Sequence, residues 1–191
     1  MREKLKLYYL CRFTQLSPLR LSGGKNDRTD NDLMLDSRGL PMIPGSALAG
    51  VLRSRLPRED ADLLFGKNTV GNDMTESAVL VGDAALPQEA AFTAWLKQNP
   101  AWADHSRVEQ LYTDVRGQTR LKDGVADDGS LRFTRVLGQY DPLDKTKALV
   151  FEASVRLENA SPEAVRPLEH CCAATRHMGT HRNRGLGNVR L

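Results

Sequence analysis

From Leu5 to Phe13 the chain alternates, with Leu5, Leu7, Tyr9, Cys11 and Phe13 on one face of an extended strand and Lys4, Lys6 and Arg12 on the other. Successive side chains of a strand point to opposite faces, so this pattern calls for a sheet with one covered face and one wet face. Leu10 is the exception on the polar face, and edge exposure or a second layer would account for it. The rest of the chain must supply the elements that cover the apolar side.

Residues 22–38 are polar and read as a loop, with Gly23-Gly24 followed by Lys, Asn, Asp, Arg and Thr. Pro44-Gly45-Ser46 opens an apolar-periodic run through Leu48, Val51, Leu52 and Leu56, with Ser46 as the expected N-cap and Pro57 as the break. Ser77–Leu86 reads as a strand and Ala90–Lys97 as a short helix. Gln118–Ser130 is polar and Gly-rich, a loop by composition. Leu131–Leu137 and Ala148–Leu157 read as the two strands of a hairpin turning at Gly138–Lys147. Ser161-Pro162-Glu163 is a helix start, with Val165, Leu168, Cys172 and Ala173 as its buried face. A Gly- and Arg-rich loop follows Gly179, and Asn188–Leu191 begins a last strand. The order is that of an elaborated ferredoxin-like (RRM-like) βαββαβ pattern, an α+β sheet with helices on one face. We expect one domain over 1–191 with an insertion about 87–130, either a trimmed chain or one module of a longer or fused one.

The chain has 191 residues, 40% hydrophobic and 27% charged. That composition supports a core and excludes a collagen-like or mostly disordered chain. No stretch approaches the roughly 18 apolar residues of a membrane span. Three cysteines with a vicinal pair, Cys171-Cys172, do not form a secreted disulfide framework, and the N-terminus is no signal peptide. A reducing, cytoplasmic compartment is expected. His170, Cys171, Cys172, His177 and His181 are zinc-ligand types, but their spacing fits no standard site, so zinc is not expected.

The net charge is only +3, yet its distribution is uneven. The last 22 residues hold four arginines, Arg176, Arg182, Arg184 and Arg190, and no Asp or Glu. In the Arg176–Asn188 loop, glycines permit positive φ and close backbone approach, and arginines supply forked donors suited to phosphate. The loop contains no GxxxxGK[ST] phosphate loop, and it follows a helix, which excludes a dinucleotide fingerprint.

A second segment carries a family resemblance through Asp30, Asn31, Leu33, Met34, Asp36, Gly39, Pro41, Ile43, Pro44, Gly45, Ser46, Leu48, Gly50 and Arg53. Leu64-Phe65-Gly66, the strand ending at Asp83-Ala84, Gly124–Arg132 and the terminal Gly-rich loop extend it over most of the chain. The sequence resembles the RAMP superfamily of CRISPR-associated proteins, and most of all the backbone (repeat) subunit of type III RNA-guided effector complexes. The resemblance implies a subunit that binds guide crRNA and target single-stranded RNA within a filament of other effector subunits or fused RAMP domains. It implies RNA contacts from Gly45, Ser46, Arg53, Arg176, His181, Arg182, Arg184, Gly185 and Gly187, and a thumb-like loop, for which 118–130 is the candidate. It also implies that Asp30 is catalytic and holds a transient Mg²⁺ or Mn²⁺ during target cleavage. Asp27, Asp32 and Asp36 are alternative registers, with Asp36 expected to fix the following turn.

The sequence departs from the family pattern at Ala47 and Ala49, where the family has Ser and Lys, and at Asp32, where it has Pro. A non-catalytic crRNA-binding and assembly subunit is therefore an alternative. A second alternative is an endoribonuclease that processes precursor crRNA with His177 or His181 as general acid or base. A protein–protein module without an RNA role is a third.

Overall fold

The computed structural model describes residues 5–21, 33–67 and 75–191. The strand β1 (Leu5–Gln15) pairs antiparallel with β7 (Val150–Ala160), from Leu5 opposite Ala160 to Thr14 opposite Val150. The strand β2 (Val79–Val81) lies on the far side of β7, and β8 (Val189–Arg190) on the far side of β1, giving the order β2-β7-β1-β8. Chain order and strand order together are those of the expected ferredoxin-like sheet. Phe13, Phe151, Val155 and Leu157 point to the covered face and are buried. Leu10 and Tyr8, both 66% exposed, stand on the open face between the ion pairs Lys6–Glu158 and Arg12–Glu152. β8 reaches only Thr14 and Gln15, so among the described residues no strand pairs with β1 beside Leu10 on that side.

The covering layer comes from α1 (Gly45–Arg53), α2 (Arg58–Phe65) and α5 (Val165–Ala174). Leu48, Leu52, Leu64, Leu168 and Cys171 supply its buried stripe. α1 ends at Arg53, before the expected break at Pro57, and Pro57 instead holds the N-cap position of α2. The helix after Ser161 begins with a 3₁₀ turn, Pro162–Ala164, and the side of α5 facing the core holds Leu168 and Cys171. Ala173 is exposed and Cys172 half-buried, against expectation, because the buried stripe runs through Ala164, Leu168, Cys171 and Thr175, one residue around from the expected face.

The largest departure concerns the expected hairpin of Leu131–Leu137 with Ala148–Leu157. The strand β6 (Arg132–Leu137) pairs with β3 (Thr113–Gln118) and not with β7. Both sides of β7 are occupied, by β1 on one and by β2, Gly82 and Ala85 on the other. Only the Tyr140–Ala148 bridge and the Leu149 N–H to Gln139 C=O bond remain of the expected pairing. β3 and β6 instead form an arm that leaves the sheet and ends in the small hairpin β4 (Leu121–Lys122) and β5 (Val125–Ala126). Asp123 and Gly124 at its tip both have positive φ, as a two-residue turn between twisted strands requires. Hence 118–130 is largely ordered ladder and turn. The arm is rooted by a buried ion pair, Arg135 to Glu109 at 2.9 Å, on α4 (His105–Tyr112), a helix the sequence patterning did not reveal. A further helix, α3 (Glu89–Gln98), covers the expected 90–97 segment. Among the described residues no helix is long and apolar enough to cross a membrane.

The face assignment has a direct consequence. Leu157→Ala, at a fully buried position, is expected to cost about 2–5 kcal/mol of stability. Leu10→Ala, two-thirds exposed, is expected to stay within about 0.5 kcal/mol. Urea unfolding of the two variants checks this, and equal losses would contradict the sheet's sidedness.

Candidate nucleic-acid interface

The Gly- and Arg-rich loop is tied to the end of β1 through backbone groups. The Gly187 N–H donates to Pro18 C=O at 2.8 Å, and the Thr180 N–H to Arg20 C=O at 3.0 Å. Its own limbs join by Met178 N–H to Gly187 C=O and Val189 N–H to Arg176 C=O. Two glycines are required by this knot. A Cβ on Gly179 would stand 2.2 Å from Arg20 O, and one on Gly187 2.0 Å from Met178 O. Their backbones thus approach other protein backbone, not open ligand space. Met178 and Leu186 are buried and pin the loop, while the 3₁₀ turn Arg182–Arg184 stays outside.

Arg182 and Arg184 are exposed on that turn, and Gly185, at φ 76°, closes it with open space around its Cα. His181 enters the turn in the left-handed region at φ 57°, a conformation that costs a non-glycine residue energy and persists only where the surroundings enforce it. Arg184 Nη1 donates to Gln118 Oε1 on the arm at 3.3 Å. Between loop and arm lies a cleft of about 450 Å³. Arg20, Arg120, Arg132, Arg184 and His181 line it, and Asp128 is its one acidic side chain. Arg120 is paired with Asp127, Nε to Oδ2 at 2.8 Å, which leaves three arginines without an ion pair among the described residues. A concave surface in which cations outnumber the single lining carboxylate focuses the field on an incoming anion.

The other candidate positions are placed differently. Gly45 is buried at the start of α1, where a Cβ would meet Val81 O at 2.1 Å. Its N–H donates to Asp83 Oδ1 at 2.7 Å, so a carboxylate already complements this helix end. Ser46 is exposed and caps nothing; Pro44 holds the N-cap position instead. Arg53 ties α1 to α2, with Nη2 2.9 Å from Asp62 Oδ1 and Nη1 3.3 Å from Phe65 O. Arg176 donates to Ala173 O and Thr175 O, closing the end of α5. Loop and α1 do face each other across a smaller groove of about 310 Å³, with Ala47, Gly50, Ser54, Arg55, Thr180 and Arg182 along it. Arg55 Nη2 donates to His177 O at 3.0 Å across its floor.

Asp30 lies outside the described residues, as do Asp27 and Asp32. Asp36 does fix the following turn. Its Oδ1 accepts from the Arg38 and Leu40 N–H groups at 2.8 and 2.9 Å, and Arg38 bridges it to Glu89. Burial pushes the Asp36 carboxyl up, but the Leu40 amide, the Arg38 side chain and the Arg38 amide together hold it below the usual carboxylate range. Among the described residues no cluster of three or more His, Cys, Asp or Glu side chains is placed to hold a metal ion.

Arg20, Arg132 and Gln118 are functional candidates that the sequence patterning missed. No local pattern marks Arg20, which stands in the mixed stretch Ser17-Pro18-Leu19-Arg20-Leu21-Ser22.

Residues 12–190 match the RAMP superfamily. The chain belongs to that superfamily. In fold it is similar to a chain of the type III-B Cmr-beta complex bound to cognate target RNA, with TM-score 0.64 and 13% identity. That match covers 97% of this chain and 58% of the Cmr-beta chain, so the protein spans little more than half the length of that relative. It is also similar to a chain of apo Cmr-beta, with TM-score 0.66 and 10% identity, over 96% of this chain and 95% of the other. At such identities the likeness is one of fold. Among curated protein sequences none matches.

Desolvation, then the charges of Arg20 and Arg184, hold the His181 imidazole below its ordinary value of 6.5. The unfolded chain therefore takes up a proton at His181 before the folded protein does. Folding stability falls as the pH drops below about 6.5, and the loss levels off below the folded-state value. A melting-temperature series from pH 7.5 to pH 5 should show a smaller decline for His181→Gln than for wild type. Identical declines would contradict the neutral His181.

Proposed function

We propose that this protein is a subunit of a type III CRISPR RNA-guided effector that grips the backbone of guide crRNA and helps cleave complementary target RNA. The observation that carries the reading is the cationic cleft between the Gly-rich loop and the arm. Membership of the RAMP superfamily and the fold likeness to Cmr-beta chains support it. The arm then serves as the thumb, and repeated subunits or fused RAMP domains set its spacing along the RNA. Phosphate recognition by His181, Arg182 and Arg184 has the chemistry such a grip needs, with exposed forked donors on a turn that the buried Met178 and Leu186 hold rigid.

Asp30 is the proposed catalytic residue. A single carboxylate holds a hard divalent cation only with waters and RNA oxygens completing the shell, so Mg²⁺ or Mn²⁺ would bind transiently, with RNA. A second reading, a non-catalytic assembly subunit, is favoured by Ala47, Ala49 and Asp32, which depart from the family pattern around that site.

Two measurements separate the readings. Binding of a single-stranded oligoribonucleotide should weaken about twentyfold between 50 and 200 mM salt if three phosphates are neutralised. In the assembled effector with Mg²⁺, Asp30→Ala should leave RNA affinity unchanged and reduce target cleavage about a hundredfold or more, the scale of losing a group that stabilises the transition state. Cleavage persisting at this subunit's site would remove the catalytic role and leave the assembly role. Cutting of precursor RNA without metal or target would support the processing reading instead.

A further inference from the structure

Arg20 is a buried cation without an anion. It is 6% exposed, yet among the described residues no carboxylate pairs with it. Its Nη1 meets the His181 ring, 3.0 Å from Nε2, while Nε is buried with no partner. Among the described residues no hydrogen bond from Nη2 is made either. Burial first, and then the positive charge of Arg184, lower the guanidinium's hold on its proton. An unpaired buried charge is destabilising, which makes it a candidate for completion by a ligand of opposite charge.

The fold holds the arrangement in place. The Arg20 C=O accepts from Thr180, and Gly179 is pressed against it, so the loop that carries His181 and Arg184 is clamped to the residue they face. Arg20, His181 and Arg184 all line the 450 Å³ cleft, with Gln118 and Thr134 on its arm side.

We propose that Arg20, together with His181 and Arg184, forms a phosphate pocket at the base of this cleft, and that its occupant is one backbone phosphodiester of the bound RNA. The proposal deepens the RNA-binding reading and rests on it for the identity of the occupant. Arg20 supplies the buried, forked donor, and Arg184 closes from the loop. The phosphate offsets the repulsion between the two guanidinium groups. A planar fork suits this role better than an ammonium, because phosphate offers paired oxygens.

The test uses the full chain with Arg20→Gln and Arg20→Lys. Gln removes an unsatisfied charge, so the apo variant is expected to melt at or above the wild-type temperature; a purely structural arginine would lower it. Affinity for a single-stranded oligoribonucleotide should fall about 10- to 100-fold in Arg20→Gln and about tenfold in Arg20→Lys, which keeps the charge and loses the fork. Inorganic phosphate should raise the melting temperature of wild type and not of Arg20→Gln. Should either variant bind RNA as tightly as wild type, the pocket is not an RNA subsite and the proposal fails, even if phosphate alone binds. If wild type binds no RNA at low salt, the RNA-binding reading fails. In that case selective protection of wild type by inorganic phosphate would retain the pocket, and its absence would remove it.

Discussion

The antiparallel ladder between β1 and β7 is the constraint on which the other elements depend. It places Phe13 beside Phe151 and Cys11 beside Ala153 on one face, and that face is what α1, α2 and α5 bury. Because side chains alternate with a period of two, a slip of one residue would turn this row to solvent and bring Lys6, Arg12 and Glu152 inside. The ladder also fixes where β1 ends. Pro18, Leu19 and Arg20 emerge beside the last strand, and each gives a backbone carbonyl to a neighbour: Pro18 to Gly187, Leu19 to Leu137 and Arg20 to Thr180. One short stretch thus anchors both the Gly-rich loop and the base of the arm.

That convergence explains the charge distribution. Arginines from four separate stretches, at 20, 120, 132 and 184, meet in one cleft although they span most of the sequence. The overall charge of +3 conceals this, since acids such as Glu109, Asp62 and Glu152 are spent on ion pairs within the fold. Two cations of the family pattern, Arg53 and Arg176, are engaged in holding helix ends, and the helix start at Gly45 already has a carboxylate at its N–H. The cationic groups not engaged in ion pairs among the described residues therefore lie more with the loop and arm than with the α1 start.

Much of this was legible in the residues. Alternation found β1 and its buried face, Pro44-Gly45-Ser46 found the α1 start to within two residues, and Gly with Arg found the terminal loop. Asp123-Gly124 is a hairpin signal that the polar composition of 118–130 obscured. The pairing of β6 was not legible, because hydrophobic pattern says that a segment is a strand and not which edge is vacant. Arg20 was hidden for a related reason. Its burial comes from the loop 160 residues later folding over it, a contact between segments that no local pattern records.

The sequence by itself determined the periodicities, and with them the class of fold, because one-sided burial and glycine-dependent turns are written locally in residue order. The superfamily was legible through the resemblance carried by the segment from Asp30 to Arg53 and the terminal loop. The tertiary structure decided which charges are spent inside and which are left to meet a ligand. An arginine's role depends on whether an acid lies within reach, and that reach is set by the packing of β1, the arm and the loop rather than by the arginine's neighbours in the chain.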